Sequence, residues 1–189
     1  MKSDNLIPMS TEITNLFQHA QHTRAVAQMI YNEFWVDVVD GLTVDFLDEH
    51  LQNTHDPSQI PLSLIALFDG QLVGTVNLIE NDDSKRAHLR PWLAAMVVAK
   101  EFRGQGIGTQ LVRALLVEVQ RLGFPTVYFG TDGPGFYERI GAVKHEHVRD
   151  DFFIMRFELA RPHAAIVDRI LPIQRAIAQN KLFASSPVN

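Results

Sequence analysis

The chain has 189 residues, of which 46% are hydrophobic and 21% charged, which is typical of one soluble domain with its own core and excludes a disordered chain. A formal net charge of -5 gives no positive field to attract nucleic acid or an anionic membrane, so we expect a small-molecule or peptide partner. The lack of cysteine excludes disulfides, thiolate zinc sites and a cysteine nucleophile.

We expect neither a secretory signal peptide nor a membrane span in this chain. Its first residues lack the apolar core of a secretory signal peptide, and no window approaches the roughly 18 apolar residues of a membrane span. We therefore predict a cytoplasmic protein. Two histidine pairs, His50 with His55 and His145 with His147, lack a convincing third ligand, so we predict no metal site.

Two segments in the N-terminal third have helical spacing of apolar residues. The first covers residues 22–35, and the second covers residues 43–51 with Thr43 as its candidate N-cap. Between them, the stretch "YNEFWVDVVDGLT" places two large aromatic residues at a helix end. Core packing is the ordinary interpretation of these aromatics, and a substrate-facing loop is the alternative.

The middle of the chain has strand character. Apolar residues fill 62–68 and 72–79, and the Asp69-Gly70-Gln71 sequence between them predicts a β-hairpin. After a polar stretch, residues 92–98 form a nearly continuous apolar run, which is typical of a central strand buried on both faces.

A third helix is predicted over residues 107–122, where Gly123 and Pro125 follow as stop signals. The remaining elements are short and follow in the order strand, helix, strand, strand: residues 126–130, 135–140, 143–147 and 152–157. This order predicts an α/β (α+β) domain around a central sheet. The tail, residues 161–189, has helical spacing; packing on the domain and a homodimer contact both stay open.

Three alternate glycines, Gly104, Gly106 and Gly108, separate the predicted central strand from the third helix. Backbone N–H groups and the positive end of a helix dipole meet at such a place, so it can hold a phosphate. The alternative is a tight turn whose glycines only permit close packing. A Walker loop is excluded because Thr109 and Gln110 stand where it needs Lys-Ser/Thr, and the glycine spacing excludes a dinucleotide fingerprint.

The stretch "RGQGIG" resembles the acyl-CoA loop of the GCN5-related N-acetyltransferases, Arg/Gln-x-x-Gly-x-Gly/Ala, with Arg103, Gly106 and Gly108 at the defining positions. The resemblance extends to "PWLAAMVVAKEFRGQGIGTQLV" and "GFYERIGA" and covers roughly residues 62–157. It implies a mixed, mostly antiparallel sheet of six to seven strands flanked by about four helices. It also implies an acyltransferase domain over residues 1–160, followed by a C-terminal helical extension over residues 161–189.

The same resemblance implies how acetyl-CoA binds. Its pyrophosphate would lie on the backbone N–H groups of one loop, where each Cβ would push it away: Arg103, Gly104, Gln105, Gly106, Ile107, Gly108 and Thr109. Its pantetheine arm would pair with the main chain of Met96, Val97 and Val98, where the fourth strand splays from the fifth. An N–H of that strand could also stabilise the thioester oxygen.

Transfer to an amine requires a base and an acid, because a primary alkylamine has a pKa of about 10 and the CoA thiolate gains a proton on leaving. The resemblance assigns the acid to Tyr137, whose ordinary alternative is core packing. Regular alternation along residues 72–80 places Glu80 at the edge of an apolar face, where it could accept a proton directly or through water. Asp82 and Asp83 could instead attract a cationic substrate.

The sequence and the resemblance together predict an acetyl-CoA-dependent N-acetyltransferase that uses direct attack in a ternary complex, because no cysteine is present to carry the acetyl group. The acceptor could be a small amine, a peptide N-terminus or a lysine side chain. A non-catalytic acyl-CoA-binding regulatory module and a transferase of another acyl group are the alternatives.

Overall fold

A computed structural model describes residues 10–160 of the chain. Seven β-strands form one sheet: β1 Thr11–Asn15, β2 Leu62–Phe68, β3 Gln71–Ile79, β4 Trp92–Val98, β5 Thr126–Thr131, β6 Val143–Arg149 and β7 Phe152–Glu158. Four α-helices flank it: α1 Thr23–Phe34, α2 Val44–Gln52, α3 Ile107–Arg121 and α4 Pro134–Glu138. The predicted fold class, with its helix and strand numbers, is confirmed for this part of the chain.

The strand order is β1-β2-β3-β4-β5-β7-β6, and every neighbouring pair is antiparallel except β4 and β5. The parallel register of β4 and β5 contains a single residue pair, Trp92 with Tyr128. The two strands therefore meet at the start of β4 and separate after it. This separation opens the middle of the sheet.

Helices cover both faces of the sheet, which is why β2, β3 and β4 are almost continuously apolar. Helix α3 buries Leu111, Val112 and Leu115 on one face, where each buried side chain of this size contributes roughly 1.5–3 kcal/mol. Helix α1 packs Val26 and Ile30 on the opposite face. The helical spacing of these residues thus matches the faces that they bury.

The predicted elements agree with the observed ones to within a few residues, and the Thr43 side chain caps α2 as expected by accepting a hydrogen bond from the Phe46 N–H at 3.2 Å. Strand β1 was not predicted. It is a five-residue edge strand that pairs only with β2, too short to show a clear alternating pattern. The predicted helical tail, residues 161–189, lies outside the described residues. Within residues 10–160, no helix is long and apolar enough to cross a membrane.

Candidate active site

Strand β4 contains a β-bulge at the point where it leaves β5. Thr75 pairs with Val97 and Asn77 with Ala94, so β4 has one residue more than β3 between these two pairs. The backbone φ of Ala95 is +46°, in the left-handed region that a non-glycine residue seldom adopts. A bulge increases the local bend and twist of a strand, so it redirects β4 where the sheet opens.

A buried side-chain pair from the neighbouring strands holds this bulge. The Asn77 amide donates a hydrogen bond to the Ala95 carbonyl at 3.3 Å, and the Ser63 hydroxyl donates to the Asn77 side-chain oxygen. Both side chains are almost fully buried. Because a buried amide is expensive without partners, these bonds tie the position of Asn77 to the bulged conformation of β4.

A groove of about 510 Å³ lies between the end of β4, the start of α3 and α4. Nine of the ten residues predicted to bind the cofactor line it: Met96, Val97, Val98, Arg103, Gly104, Gly106, Ile107, Gly108 and Thr109. Glu33, Phe102, Phe136, Arg139 and Ile140 complete its walls. We call this space the donor groove.

Two of the loop glycines adopt left-handed backbone angles. Gly104 has a φ of +77° and Gly106 a φ of +81°, and a Cβ placed on either would meet no atom within 4 Å. A Cβ on Gly108 would approach the Phe136 ring at 3.4 Å. The loop therefore needs glycine at two positions for its backbone conformation, and not only to leave space for a ligand. From the sequence, we considered only the space.

Helix α3 begins within this loop, and no side chain of the described residues caps its N-terminus. Gly106 occupies the N-cap position, and the first turn contains no acidic side chain. The first N–H groups of a helix have no intrahelical partner, and the helix dipole adds partial positive charge there. The groove thus ends at a set of backbone donors suited to phosphate.

The side chains of Arg103, which also lines the groove, and of Gln105 hold the loop by hydrogen bonds. The Arg103 guanidinium donates to the Val98 carbonyl at 2.8 Å and to the Glu33 carboxylate at 2.8 Å, so it ties the loop to β4 and α1. The Gln105 side chain donates to the Glu101 carbonyl at 3.5 Å and is absent from the groove lining. By contrast, Arg139 lines the groove and makes no ion pair within residues 10–160.

A second space of about 670 Å³ lies on the other side of the bulge, and we call it the acceptor cavity. Met96 lines both spaces, so the bulged part of β4 forms the boundary between them. Ser63 and Asn77 line the acceptor cavity beside it, as does Tyr137 from α4. Neither Ser63 nor Asn77 was predicted as a site residue, because each lies between apolar residues of a strand and belongs to no motif.

Tyr137 is half-buried, with its ring centroid 4.4 Å from that of Phe129 and 4.8 Å from that of Phe136. Burial, and then the nearby charge of Asp132, raise the pKa of Tyr137 to about 12. The structure gives its hydroxyl no hydrogen-bond partner within the described part of the chain. Tyr137 therefore keeps its proton at neutral pH and can donate it to a negative atom in the cavity.

Glu80, Asp82 and Asp83 do not lie in one site. Glu80 lies just after β3, 55% exposed, in an ion pair with Arg90 at 2.8 Å, and it lines neither the donor groove nor the acceptor cavity. Asp82 and Asp83 do line the acceptor cavity. A hydrogen bond from Arg86 lowers the pKa of Asp83. The pKa of Asp82 is raised, because the concave wall displaces water around it and because Asp83 is negative.

The histidines take no part in either space, apart from His50 in the wall of the acceptor cavity. His145 and His147 lie on the exposed face of β6, where His147 hydrogen-bonds the Asp150 carbonyl at 2.7 Å. Across residues 10–160, no group of three histidine or carboxylate side chains could hold a metal ion.

Comparison with known proteins identifies the fold and the relatives of this chain. A family model described as "Acetyltransferase (GNAT) family" matches residues 27–142. A curated relative, "N-alpha-acetyltransferase 30" of Schizosaccharomyces pombe, is 30% identical over 91 residues. That match covers 46% of this chain and 60% of the relative, so it spans less than two thirds of that protein.

Solved structures share the fold. An aminoglycoside 6'-N-acetyltransferase complexed with coenzyme A is similar with a TM-score of 0.62 and 18% identity, over 80% of this chain and 99% of that one. An acyl-CoA N-acyltransferase from Pseudomonas aeruginosa is similar with a TM-score of 0.56 and 25% identity, over 78% of this chain and 99% of that one.

Proposed function

Because the chain belongs to the acetyltransferase (GNAT) family, we propose that it transfers the acetyl group of acetyl-CoA to a primary amine by direct attack within a ternary complex. The observation that carries this proposal is the meeting of two spaces at Met96, one ending in the uncapped start of α3 and the other containing Tyr137. A donor and an acceptor held in these spaces would meet across the bulge of β4. No covalent acetyl-enzyme is needed for transfer between adjacent sites.

The donor groove fits CoA by its shape and its donors. The open space above Gly104 and Gly106 and the free N–H groups at the start of α3 suit a pyrophosphate, with Arg139 as a nearby cation. The main chain from Met96 to Val98 would hold the pantetheine arm, as the resemblance implies. Bound acetyl-CoA supplies an acetyl thioester, whose carbonyl carbon is the electrophile.

Tyr137 serves as the acid in this proposal. The neutral amine nitrogen forms the new C–N bond and then loses a second proton to solvent, the C–S bond breaks, and the sulfur receives the Tyr137 proton. The overall change converts an ammonium ion and acetyl-CoA into an amide, CoA thiol and one released proton. The high pKa of Tyr137 suits an acid and not a base at neutral pH. Its proton is replaced from solvent after each turnover.

The ammonium ion must also be held and lose a proton before it attacks. Glu80 would have to leave its ion pair with Arg90 to reach the amine, whereas Asp132 already lines the acceptor cavity together with Tyr137. We propose that Asp132 holds the incoming ammonium and that its proton passes to solvent. The cytoplasmic location remains a prediction from the sequence, and a homodimer contact remains one of two alternatives for residues 161–189.

Two measurements test the proposal. Isothermal titration with acetyl-CoA tests the donor groove, and release of free CoA thiol across a panel of small amines, peptides and lysine derivatives tests the transfer. We expect both binding and amine-dependent thiol release. Tight binding with no thiol release from any amine would favour the regulatory acyl-CoA-binding module, and preference for a longer acyl-CoA would correct the donor.

A further inference from the structure

The acceptor cavity has a wall of aromatic side chains, some buried in the core and some exposed. Phe34, Trp35, Phe46, Trp92 and Phe152 line it, and they come from α1, the loop after it, α2, β4 and β7. Phe34 and Phe46 remain 42% and 43% exposed. Aromatic side chains that stay exposed along a cavity provide apolar contact area for a ligand.

One of these rings is fixed by a glycine on the neighbouring strand. A Cβ on Gly130 of β5 would lie 2.5 Å from the Phe152 ring, so the ring packs directly on the backbone of β5. Trp92 is also fixed, since it is almost fully buried and its indole N–H donates to the Leu89 carbonyl at 2.6 Å. The Phe152 and Trp92 part of the aromatic wall is therefore rigid.

The charged groups of the cavity are acidic. Asp82, Asp83 and Asp132 line it, and no lysine or arginine does so among the residues described. Arg86 neutralises Asp83 through an ion pair. Asp82 and Asp132 form no ion pair within residues 10–160, and Asp132 lines the same cavity as Tyr137. A cation is therefore attracted into the cavity that contains the proposed acid.

We infer that the acceptor is a primary ammonium group carried next to an aromatic or bulky apolar group, with its nitrogen at Asp132 and its apolar body against the aromatic wall. This inference rests on the proposed function and names its substrate class. The same chemistry occurs in a free arylalkylamine and in a peptide whose first residue is aromatic. A polyhydroxylated amine would leave hydroxyl groups against the aromatic wall without partners.

The chain offers a direct readout of this cavity, because Trp35 and Trp92 are its only tryptophans and both line the wall. Tryptophan fluorescence would be followed in the presence of CoA during titration with phenethylamine, and with ethanolamine as the hydrophilic match. Phenylalanyl-glycinamide and seryl-glycinamide form the corresponding peptide pair. In each pair that contains a substrate, we expect the aromatic compound to give a saturable change in tryptophan fluorescence. Its kcat/KM should be at least about tenfold higher than that of the hydrophilic compound in the same pair.

Two variants locate the contacts. Phe46→Ala should lower kcat/KM for phenethylamine several-fold more than it lowers kcat/KM for ethanolamine. Asp132→Asn should weaken phenethylamine binding about tenfold, whereas Asp69→Asn, in the hairpin turn between β2 and β3, is the matched control that should bind normally. Equal losses in the two aspartate variants would overturn the placement of the nitrogen.

The outcomes separate this inference from the proposed function. If ethanolamine, lysine or glucosamine releases CoA thiol faster than either aromatic amine, the acceptor class is wrong and the transferase stands. If phenethylamine changes the tryptophan fluorescence but no amine releases thiol, the acceptor class stands and the transferase is wrong. If phenethylamine gives neither signal and only phenylalanyl-glycinamide does, the source of the aromatic ammonium is a peptide N-terminus.

Discussion

Replacing Gly106 by alanine separates the two roles that the structure gives to the loop glycines. The φ of Gly106 is +81°, and a left-handed angle costs a residue with a Cβ roughly 1–2 kcal/mol. A Cβ there meets no atom within 4 Å, so the apo protein should lose only this strain energy. The loss corresponds to a fall in Tm of about 2–8 °C for a domain of this size. Differential scanning calorimetry measures it.

Gly70 provides a matched control for this substitution. It has a φ of +80° and an equally open Cβ position, but it lies in the β2–β3 turn and outside the donor groove. Gly70→Ala should therefore lose about as much stability as Gly106→Ala. Only Gly106→Ala places a methyl group in the space assigned to the pyrophosphate.

The two variants should differ sharply in acetyl-CoA binding. Displacing the phosphate from one backbone N–H removes a hydrogen bond to a charged group, which is worth about 1.5–3 kcal/mol, so the Kd from isothermal titration should rise roughly 10- to 150-fold in Gly106→Ala. The Kd of Gly70→Ala should not change. Unchanged binding by Gly106→Ala would show that its glycine serves the backbone alone and that the pyrophosphate lies elsewhere.

Three further substitutions test the other parts of the site. Tyr137→Phe should lower kcat by about 10²-fold or more while acetyl-CoA affinity stays within about twofold. Because the pKa of Tyr137 is raised to about 12, Tyr137 should stay protonated between pH 10 and pH 12, where an ordinary tyrosine ionises, and its contribution to wild-type kcat should persist there. Arg139→Gln should raise the KM for acetyl-CoA several-fold at low salt and by less at high salt, as measured by initial rates. Asn77→Leu should lower the free energy of unfolding by about 2–4 kcal/mol in urea denaturation and lower kcat, because the Ser63 hydroxyl and the Ala95 carbonyl lose their partner; a fall in stability with full kcat would remove Asn77 from the positioning of β4.

Periodicity and one local motif were enough to predict most of the fold and the donor groove. The glycine loop is contiguous in sequence with the strand before it and the helix after it, so its residues are close in space without any long-range contact. The acceptor cavity could not be predicted in this way. Its walls combine residues as far apart in sequence as Phe34, Trp92 and Phe152, and only the tertiary structure brings them together.

The prediction for Glu80 shows the limit of alternation as a guide. Regular alternation along β3 was expected to carry Glu80 to the edge of the apolar face, but the strand ends at Ile79. The next residue belongs to a turn in which the Asn81 amide donates to the Arg86 and Leu89 carbonyls at 3.1 Å, and Arg90 returns close enough to bind Glu80. Such a turn depends on contacts with residues several positions later in the sequence, and an alternating pattern within one strand carries no information about them.

The buried Ser63–Asn77 pair connects the fold to the proposed chemistry. In a sheet with helices on both faces, two polar side chains cost stability compared with an apolar pair, unless they satisfy a group that the sheet itself leaves unpaired. The bulge in β4 creates such a group, because the Ala95 carbonyl is turned out of the regular ladder and accepts its hydrogen bond from Asn77. The same bulge lies where β4 parts from β5 and places Met96 between the donor groove and the acceptor cavity. The polar pair therefore stabilises the irregular conformation of β4 at the boundary of both spaces, and an apolar pair at these positions would leave the Ala95 carbonyl without the Asn77 hydrogen bond.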